Sequence, residues 1–357
     1  MEIRENIVLA PYTTFRIGGP ARWFLEASSE ADLAEAVLFA RGKKAPVFVL
    51  GGGSNLLVAD KGFPGVVIRV ANRGIREQQD GEYGIFTAAA GENWDSFVST
   101  VVARGFAGVE CLAGIPGTVG GTPVQNVGAY GQEVASTIHS VRAFDRANLR
   151  MVDFAASQCD LRYRSSVFNT SARDRYIVTE VSYRLRLHGA PQLTYKELTD
   201  AFPDTSVAPT LSQVSKAVRS IRRKKGMLLV EGDPNCLSAG SFFKNPVVSE
   251  SQLADISARM TKEANLAGES AAGPIPHFAA EPGTVKLMAG WLIEHSGFPK
   301  GFALGAAGIS SLHTLALVNR GGATANEILA LRDQIRKRVL THFGICLEQE
   351  PVYVSGE

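Results

Sequence analysis

The sequence predicts a globular protein that mixes helices with strands and divides into two or three domains. Three observations predict it. A chain of 357 residues exceeds what one hydrophobic core usually organises. Hydrophobic residues form 45% of it and charged residues 20%, so there is apolar surface for substantial cores. Segments of helical and of strand periodicity also follow one another along the chain.

Ser29-Glu30-Ala31-Asp32 has the form of a helix start, with Leu33, Ala36, Val37 and Ala40 on one face and Gly42 as the stop. Pro46-Val47-Phe48-Val49-Leu50 reads as a buried strand that ends directly in Gly51-Gly52-Gly53. A further strand is predicted over 65–70 and a helix over 95–104. The region 106–188 is rich in Gly, Val and Tyr, and its segment 176–185 alternates as a sheet strand does. Leu211, Val214, Val218 and Ile221 recur at helical spacing, and Arg219, Arg222, Arg223, Lys224 and Lys225 close that helix before Gly226. Thr324-Ala325-Asn326-Glu327 is a capping box opening a helix with Ile328, Leu331, Ile335 and Val339 inward. Breaks in composition fall near 70 and across 200–225.

A formal net charge of +2 offers no bulk attraction to nucleic acid or to a membrane surface. The basic cluster at 219–225 has no aromatic platform beside it, so it reads as a helix terminus that helps hold a phosphate. The four cysteines (Cys111, Cys159, Cys236, Cys346) lie far apart and the histidines show no ligand spacing, which predicts reduced buried thiols and no metal site. The first residues carry acids and no apolar run, so a cytoplasmic protein without a signal peptide is expected. The uncharged stretch Cys111–Gln132 is broken by two prolines and six glycines and is not a membrane span.

Two glycine clusters carry the chemistry. In Gly51-Gly52-Gly53-Ser54-Asn55-Leu56, consecutive glycines bring unshielded N–H groups close to a ligand and form a nest suited to pyrophosphate. A plain turn joining two strands would have the same composition, and the pattern is neither GxGxxG nor a P-loop. Gly114-Ile115-Pro116-Gly117-Thr118-Val119-Gly120-Gly121 precedes Gln125-Asn126-Val127-Gly128-Ala129-Tyr130-Gly131. Glycine at this density weakens a sheet, and it is retained for close backbone approach to a flat or phosphorylated group or for a tight bend.

With Thr13-Thr14-Phe15-Arg16-Ile17-Gly18-Gly19, Tyr163-Arg164-Ser165-Ser166-Val167-Phe168, Ala239-Gly240-Ser241-Phe242-Phe243-Lys244-Asn245-Pro246, Lys286-Leu287-Met288-Ala289-Gly290-Trp291 and Leu347-Glu348-Gln349-Glu350, these segments occur in one order. In that order, over nearly the whole chain, the sequence resembles the UDP-N-acetylenolpyruvoylglucosamine reductases, within the vanillyl-alcohol-oxidase-like flavoproteins.

The resemblance implies an α+β protein. Residues 1–70 and 71–222 would be the two parts of an FAD-binding region, the second including a tyrosine loop near 190–200. Residues 223–345 would form a separate α+β substrate-binding domain, and 346–357 a strand returning to the active site. It also implies noncovalent FAD, reduction by NADPH, and hydride delivery to UDP-N-acetylglucosamine enolpyruvate by a monomer in peptidoglycan-precursor synthesis.

Ser241 matches the family's proton donor, Arg164 the arginine that faces the developing carboxylate charge, and Glu350 the catalytic glutamate. Glu348 lies two residues from Glu350, and strand spacing alone does not separate them. A carboxylate beside an enolate would repel it, so Glu350 is expected to act protonated or sharing a proton. FAD contacts are implied at Gly51, Gly52, Gly53, Ser54, Asn55, Leu56, Gly114, Ile115, Pro116, Gly117, Gly120, Gly121, Asn126, Gly128, Ala129, Ile177 and Val178. Substrate contacts are implied at Tyr195, Asn245, Lys286 and one of Lys224 and Lys225, with Lys225 preferred.

Phe278 stands where some members place a substrate-binding tyrosine, which keeps stacking and loses the hydroxyl. Pro351 replaces the commoner valine after the glutamate. An FAD oxidase of the same fold acting on a sugar or alcohol, and a non-catalytic nucleotide-binding protein, are the alternative readings. Retention of Ser241, Arg164 and Glu350 speaks against the second.

Overall fold

A computed structural model describes residues 1–267 and 273–356. The chain opens with β1 (Arg4–Val8), β2 (Pro20–Ala27), helix α1 (Glu30–Lys43), β3 (Val47–Leu50), β4 (Leu56–Val58) and β5 (Phe63–Val70). Four of these strands form a sheet in the order β1-β2-β5-β3, in which β2, β5 and β3 run parallel. Ser29 and Asp32 make the capping box of α1, which buries Leu33, Ala36, Val37 and Ala40. The helix runs past Gly42, the predicted stop. Lys44 adopts the left-handed conformation instead, and its N–H bonds to the carbonyls of Ala40 and Arg41.

The second unit contains β6 (Ile75–Asp80), β7 (Tyr83–Ala89), α2 (Trp94–Ala103), β8 (Phe106–Ala107), β9 (Gly128–Ala129), β10 (Gln132–Glu133), β11 (Ile138–Asp145), β12 (Arg150–Ala155) and β13 (Tyr176–Leu187). An antiparallel sheet in the order β12-β11-β13-β7-β6 forms around β13, with β8 added on the side. Alternate residues of β13, among them Ile177, Val181, Tyr183 and Leu185, are buried in a core shared with Trp94, Phe97 and Val101 of α2. α3 (Lys196–Ala201) and α4 (Leu211–Lys224) follow, the latter capped by Thr210.

The remaining elements surround a second core. They are β14 (Val247–Ser249), α5 (Glu250–Ala267), β15 (His277–Ala279), β16 (Thr284–Leu287), α6 (Ala289–Glu294), β17 (Ala303–Leu304), β18 (Ala307–Ile309), β19 (Leu317–Asn319), α7 (Ala325–Phe343) and β20 (Val352–Val354). Two three-stranded sheets, β14-β16-β15 and β17-β18-β19, pack with Ile328, Leu331, Ile335 and Val339 of α7. Phe15, from the Thr13-Thr14-Phe15 motif, enters this same core beside Phe242, while Asn319 Nδ2 donates to its carbonyl at 3.0 Å.

β20 leaves this region and pairs in parallel with β4. Pro351 has no N–H to give, and the pairing begins one residue later, where Val352 N–H donates to Asn55 O at 2.9 Å.

Asp60, just after β4, accepts from the N–H groups of Ala325 at 2.6 Å and Asn326 at 3.1 Å. These are first-turn donors of α7 that the Thr324–Glu327 box leaves free. Asp60→Ala is therefore expected to cost about 1 kcal/mol of stability, typical of a lost helix-end carboxylate. Urea unfolding checks this, and any bound flavin is expected to stay.

Cys111, Cys159 and Cys236 are buried free thiols, as expected, but Cys346 is exposed. It lies just beyond the end of α7, where Arg336 Nη2 approaches its sulfur at 3.4 Å. Among the described residues no helix is long and apolar enough to cross a membrane, and no cluster of three or more His, Cys, Asp or Glu side chains is placed to hold a metal ion.

Candidate active site

The two glycine clusters meet. A Cβ built on Gly52 would stand 2.5 Å from Gly117 Cα, and one on Gly51 would stand 2.9 Å from Thr118 Oγ1. Ser54 Oγ donates to Pro116 O at 3.0 Å, and Asn55 Nδ2 donates to Gln125 Oε1 at 2.5 Å. Gly53 turns with φ +66°, which brings it against Tyr12 O.

This paired loop has a property that a plain strand turn lacks. Among the described residues, the backbone N–H groups of Gly51, Gly52, Gly53, Ser54 and Asn55 donate to no protein acceptor, and neither do those of Ile115, Gly117 and Thr118. Such a run of spare donors at the C-terminal end of a parallel strand is an anion cradle. A cavity of about 390 Å³ lies at the same ends of the neighbouring strands β2 and β5, lined by Ala27, Ser28, Val70, Asn72 and Thr179. Gly121 faces open space, while Gly120 is pressed against Ala90. These features fit a dinucleotide cofactor, and the donors of both loops would hold its pyrophosphate.

Ile177 and Val178 lie on β13, and at 1% and 7% exposure their side chains pack the core. Any contact they make with a cofactor would be made by their backbone.

Beside the cradle stands the half-buried pair Arg164–Glu350, with Nε 2.8 Å from Oε1 and side chains 19% and 13% exposed. The Nε–H is not aimed along this line and lacks a well-directed acceptor. Arg164 is held from behind, since Nη2 donates to Gly128 O at 3.0 Å and Nη1 to Asn126 O at 3.4 Å. Its backbone is left-handed (φ +54°), as are those of Asn126 (+45°) and Tyr130 (+50°). Three non-glycine residues in this rare conformation around one site mark backbone held in place by its surroundings. Asn126 is fully buried, and its amide joins Glu133 Oε2 at 2.8 Å to Arg162 O at 3.1 Å.

Glu350 reaches the site because residues 348–350 run beside 242–244. Glu350 N–H donates to Phe242 O and Lys244 N–H to Glu348 O, each at 2.9 Å. The two glutamates flank the bridge between Phe243 and Gln349, and their surroundings separate them, with side chains 73% exposed at Glu348 and 13% at Glu350. Glu350 turns inward, whereas Glu348 points to solvent and pairs with Lys244 at 3.2 Å. Burial pushes the Glu350 carboxyl above its ordinary range, and the charge of Arg164 offsets part of that rise.

Ser241 follows Gly240 (φ +75°) and immediately precedes Phe242, the residue that receives Glu350 N–H. Its hydroxyl is half-buried and, among the described residues, bonds to no protein group. Thr14 ties this segment to the first glycine loop. Its hydroxyl donates to Ser238 O at 2.6 Å, while its N–H donates to Gly53 O at 3.1 Å.

Lys286 and Asn245 stand near Tyr163, the neighbour of Arg164. The Lys286 ammonium is 3.8 Å from the ring centroid of Tyr163, and burial lowers its pKa. Asn245 Oδ1 accepts from Ala289 N at 3.0 Å. Phe278 pairs across the sheet with Lys286 and is 46% exposed, a ring with open space before it.

Tyr195 is the N-cap residue of α3 and meets Tyr130 edge to face at 5.4 Å. Lys225 lies 5.9 Å from the Tyr130 ring, and Lys224 is exposed. Lys225 is thus the member of the basic pair at the cleft.

Sequence reasoning passed over several groups here. Tyr130 and Tyr163 sit inside motifs that were quoted for their neighbours. Burial pushes Tyr130 up to about 12, while the half-buried Arg222 bonds back to Gly114 O at 3.0 Å and Met227 O at 2.6 Å. His313, one of the histidines without ligand spacing, falls to about 4 through burial and the charges of Lys225, Lys300 and Arg222. Its Nδ1 accepts from Leu315 N at 3.2 Å, so the neutral ring carries its proton on Nε2. No local spacing signals it, because its cationic neighbours come from distant segments.

Comparison with known proteins matches residues 233–354 to the C-terminal domain of UDP-N-acetylenolpyruvoylglucosamine reductase and residues 21–154 to an FAD binding domain. A UDP-N-acetylenolpyruvoylglucosamine reductase of Thermobifida fusca is 43% identical over 354 residues, covering 98% of each chain. That of Saccharopolyspora erythraea is 44% identical, covering 97% of this chain and 94% of the relative. The crystal structure of the Thermus caldophilus reductase superposes with a TM-score of 0.64 at 26% identity, covering 99% of both chains.

Proposed function

Because the chain belongs to the UDP-N-acetylenolpyruvoylglucosamine reductases, FAD-binding enzymes of peptidoglycan-precursor synthesis, we propose that it uses NADPH to reduce UDP-N-acetylglucosamine enolpyruvate to UDP-N-acetylmuramate. The observation that carries this reading is the half-buried Arg164–Glu350 pair, set between the glycine cradle and the Ser241 segment.

When bound, FAD supplies the hydride for the carbon–carbon double bond. Hydride addition leaves negative charge on the neighbouring carbon and its carboxylate, and the residues of this chain manage that charge. Arg164, anchored through Nη1 and Nη2 and set against Glu350, holds its guanidinium charge toward the developing carboxylate charge. Glu350, raised by burial, can stand there protonated without repelling it. Ser241 gives its hydroxyl proton to the carbanion, a base strong enough to take it. Lys286, Asn245 and Lys225 hold the UDP portion, and Tyr195 folds over it. The chain acts as a cytoplasmic monomer with FAD bound noncovalently.

The test is anaerobic. NADPH is expected to bleach the yellow protein, and only the enolpyruvyl UDP-sugar restores the colour. Restoration by oxygen at a catalytic rate, with indifference to the UDP-sugar, would identify an oxidase instead.

A further inference from the structure

Lys225 closes α4, and its Nζ lies 2.6 Å from Oε2 of Glu197, the second residue of α3. The pair belongs to the cleft, because Lys225 also lies over Tyr130, whose ring meets Tyr195 two residues before Glu197. Both side chains are partly open to water, 30% and 40% exposed. Lys225, Lys300 and Arg222 all act on His313, so this corner is cationic, and Glu197 is the only acid paired with Lys225 among the described residues. α3 has only six residues and no side-chain cap at its start, and it is held by Leu198, fully buried in the core, as well as by the aromatic contact, so the ion pair at its surface can break while the helix stays docked.

We propose that Glu197 is an internal counter-ion that holds Lys225 until the diphosphate of a UDP-linked ligand takes the carboxylate's place. Ligand entry and the release of Glu197 from Lys225 are then one event. The inference rests on the reading of Lys225 as a phosphate ligand. A diphosphate brings more charge and more acceptor oxygens than one carboxylate, and a solvent-open ion pair is weak enough to yield to it. Once displaced, the Glu197 carboxylate is repelled by the bound phosphates and swings out to water beside Tyr195. Glu197 is in these terms a positioning residue, acting on substrate through Lys225.

The experiment titrates UDP into the flavin-loaded protein, following flavin fluorescence, for the parent chain, Glu197→Gln, Lys225→Met and the double variant. Retained flavin absorbance verifies the fold in each. Glu197→Gln is expected to bind UDP roughly two- to fivefold tighter, the range released by one exposed ion pair. Its affinity should also fall more steeply with salt, because salt in the parent loosens the competing internal pair as well. Lys225→Met is expected to weaken UDP binding about tenfold, and adding Glu197→Gln to it should recover nothing, since the two act through one contact.

A purely structural role for Glu197 would leave the salt slope unchanged and UDP binding equal or weaker. That result, with Lys225→Met still weakening UDP, overturns the counter-ion alone. UDP binding indifferent to Lys225→Met overturns both this inference and the phosphate role of Lys225.

Discussion

Ser241→Ala is expected to leave flavin reduction by NADPH near the parent rate and to slow reoxidation by the enolpyruvyl UDP-sugar by about 10²–10⁴-fold, the span for losing a positioned proton donor. The substitution is clean because the hydroxyl supports no fold contact among the described residues. Its neighbours are held by their backbones, with Phe242 N–H donating to Leu315 O at 2.7 Å and Phe242 O accepting from Glu350 at 2.9 Å. Removing one oxygen therefore leaves the Arg164–Glu350 pair in place. Anaerobic stopped-flow measurement of the two halves separates the outcomes. Equal damage to both would make Ser241 a shaper of the cofactor site and not a donor.

Gly52→Ala is expected to yield folded protein that purifies largely without flavin. The added methyl would meet Gly117 Cα at 2.5 Å and Gly117 C at 2.8 Å. Both are backbone atoms and cannot swing aside as a side-chain tip would, so the two loops must part. Parting them scatters the free N–H groups that together make the anion nest. Gly52 is a sharper probe than Gly53, whose φ of +66° adds backbone strain of its own. Flavin absorbance per mole of protein, with circular dichroism as the control for fold, reads the result. Full flavin content would mean that the loops do not hold the cofactor together.

Much of this architecture was legible in the sequence, because it rests on local signals. The Ser29 and Thr324 capping boxes, the inward face of α7 and the strand over Tyr176–Leu187 follow from spacing within a few residues. The family's two-part FAD-binding region followed by a separate α+β domain is the fold observed. Contacts between distant segments were not legible. Glu348 and Glu350 look equivalent by count, and only the tertiary surroundings leave one in solvent with Lys244 and set the other against Arg164. Gly42 looks like a stop, yet Lys44 takes the left-handed turn. Ile177 and Val178 lie on the expected strand, but which side chains of a central strand face a groove depends on what covers the sheet. His313 and Glu197 acquire their meaning from charges that sequence scatters over nearly a hundred residues.

The short parallel ladder between β20 and β4 sets an order of assembly. Both glycine loops lie in the first third of the molecule and can come together early, as the nascent polypeptide leaves the ribosome. The proposed acidic group is supplied only by residue 350, two positions before Val352 docks on Asn55. On the proposed mechanism, uptake of colour and onset of turnover would then depend on different stretches of the polypeptide.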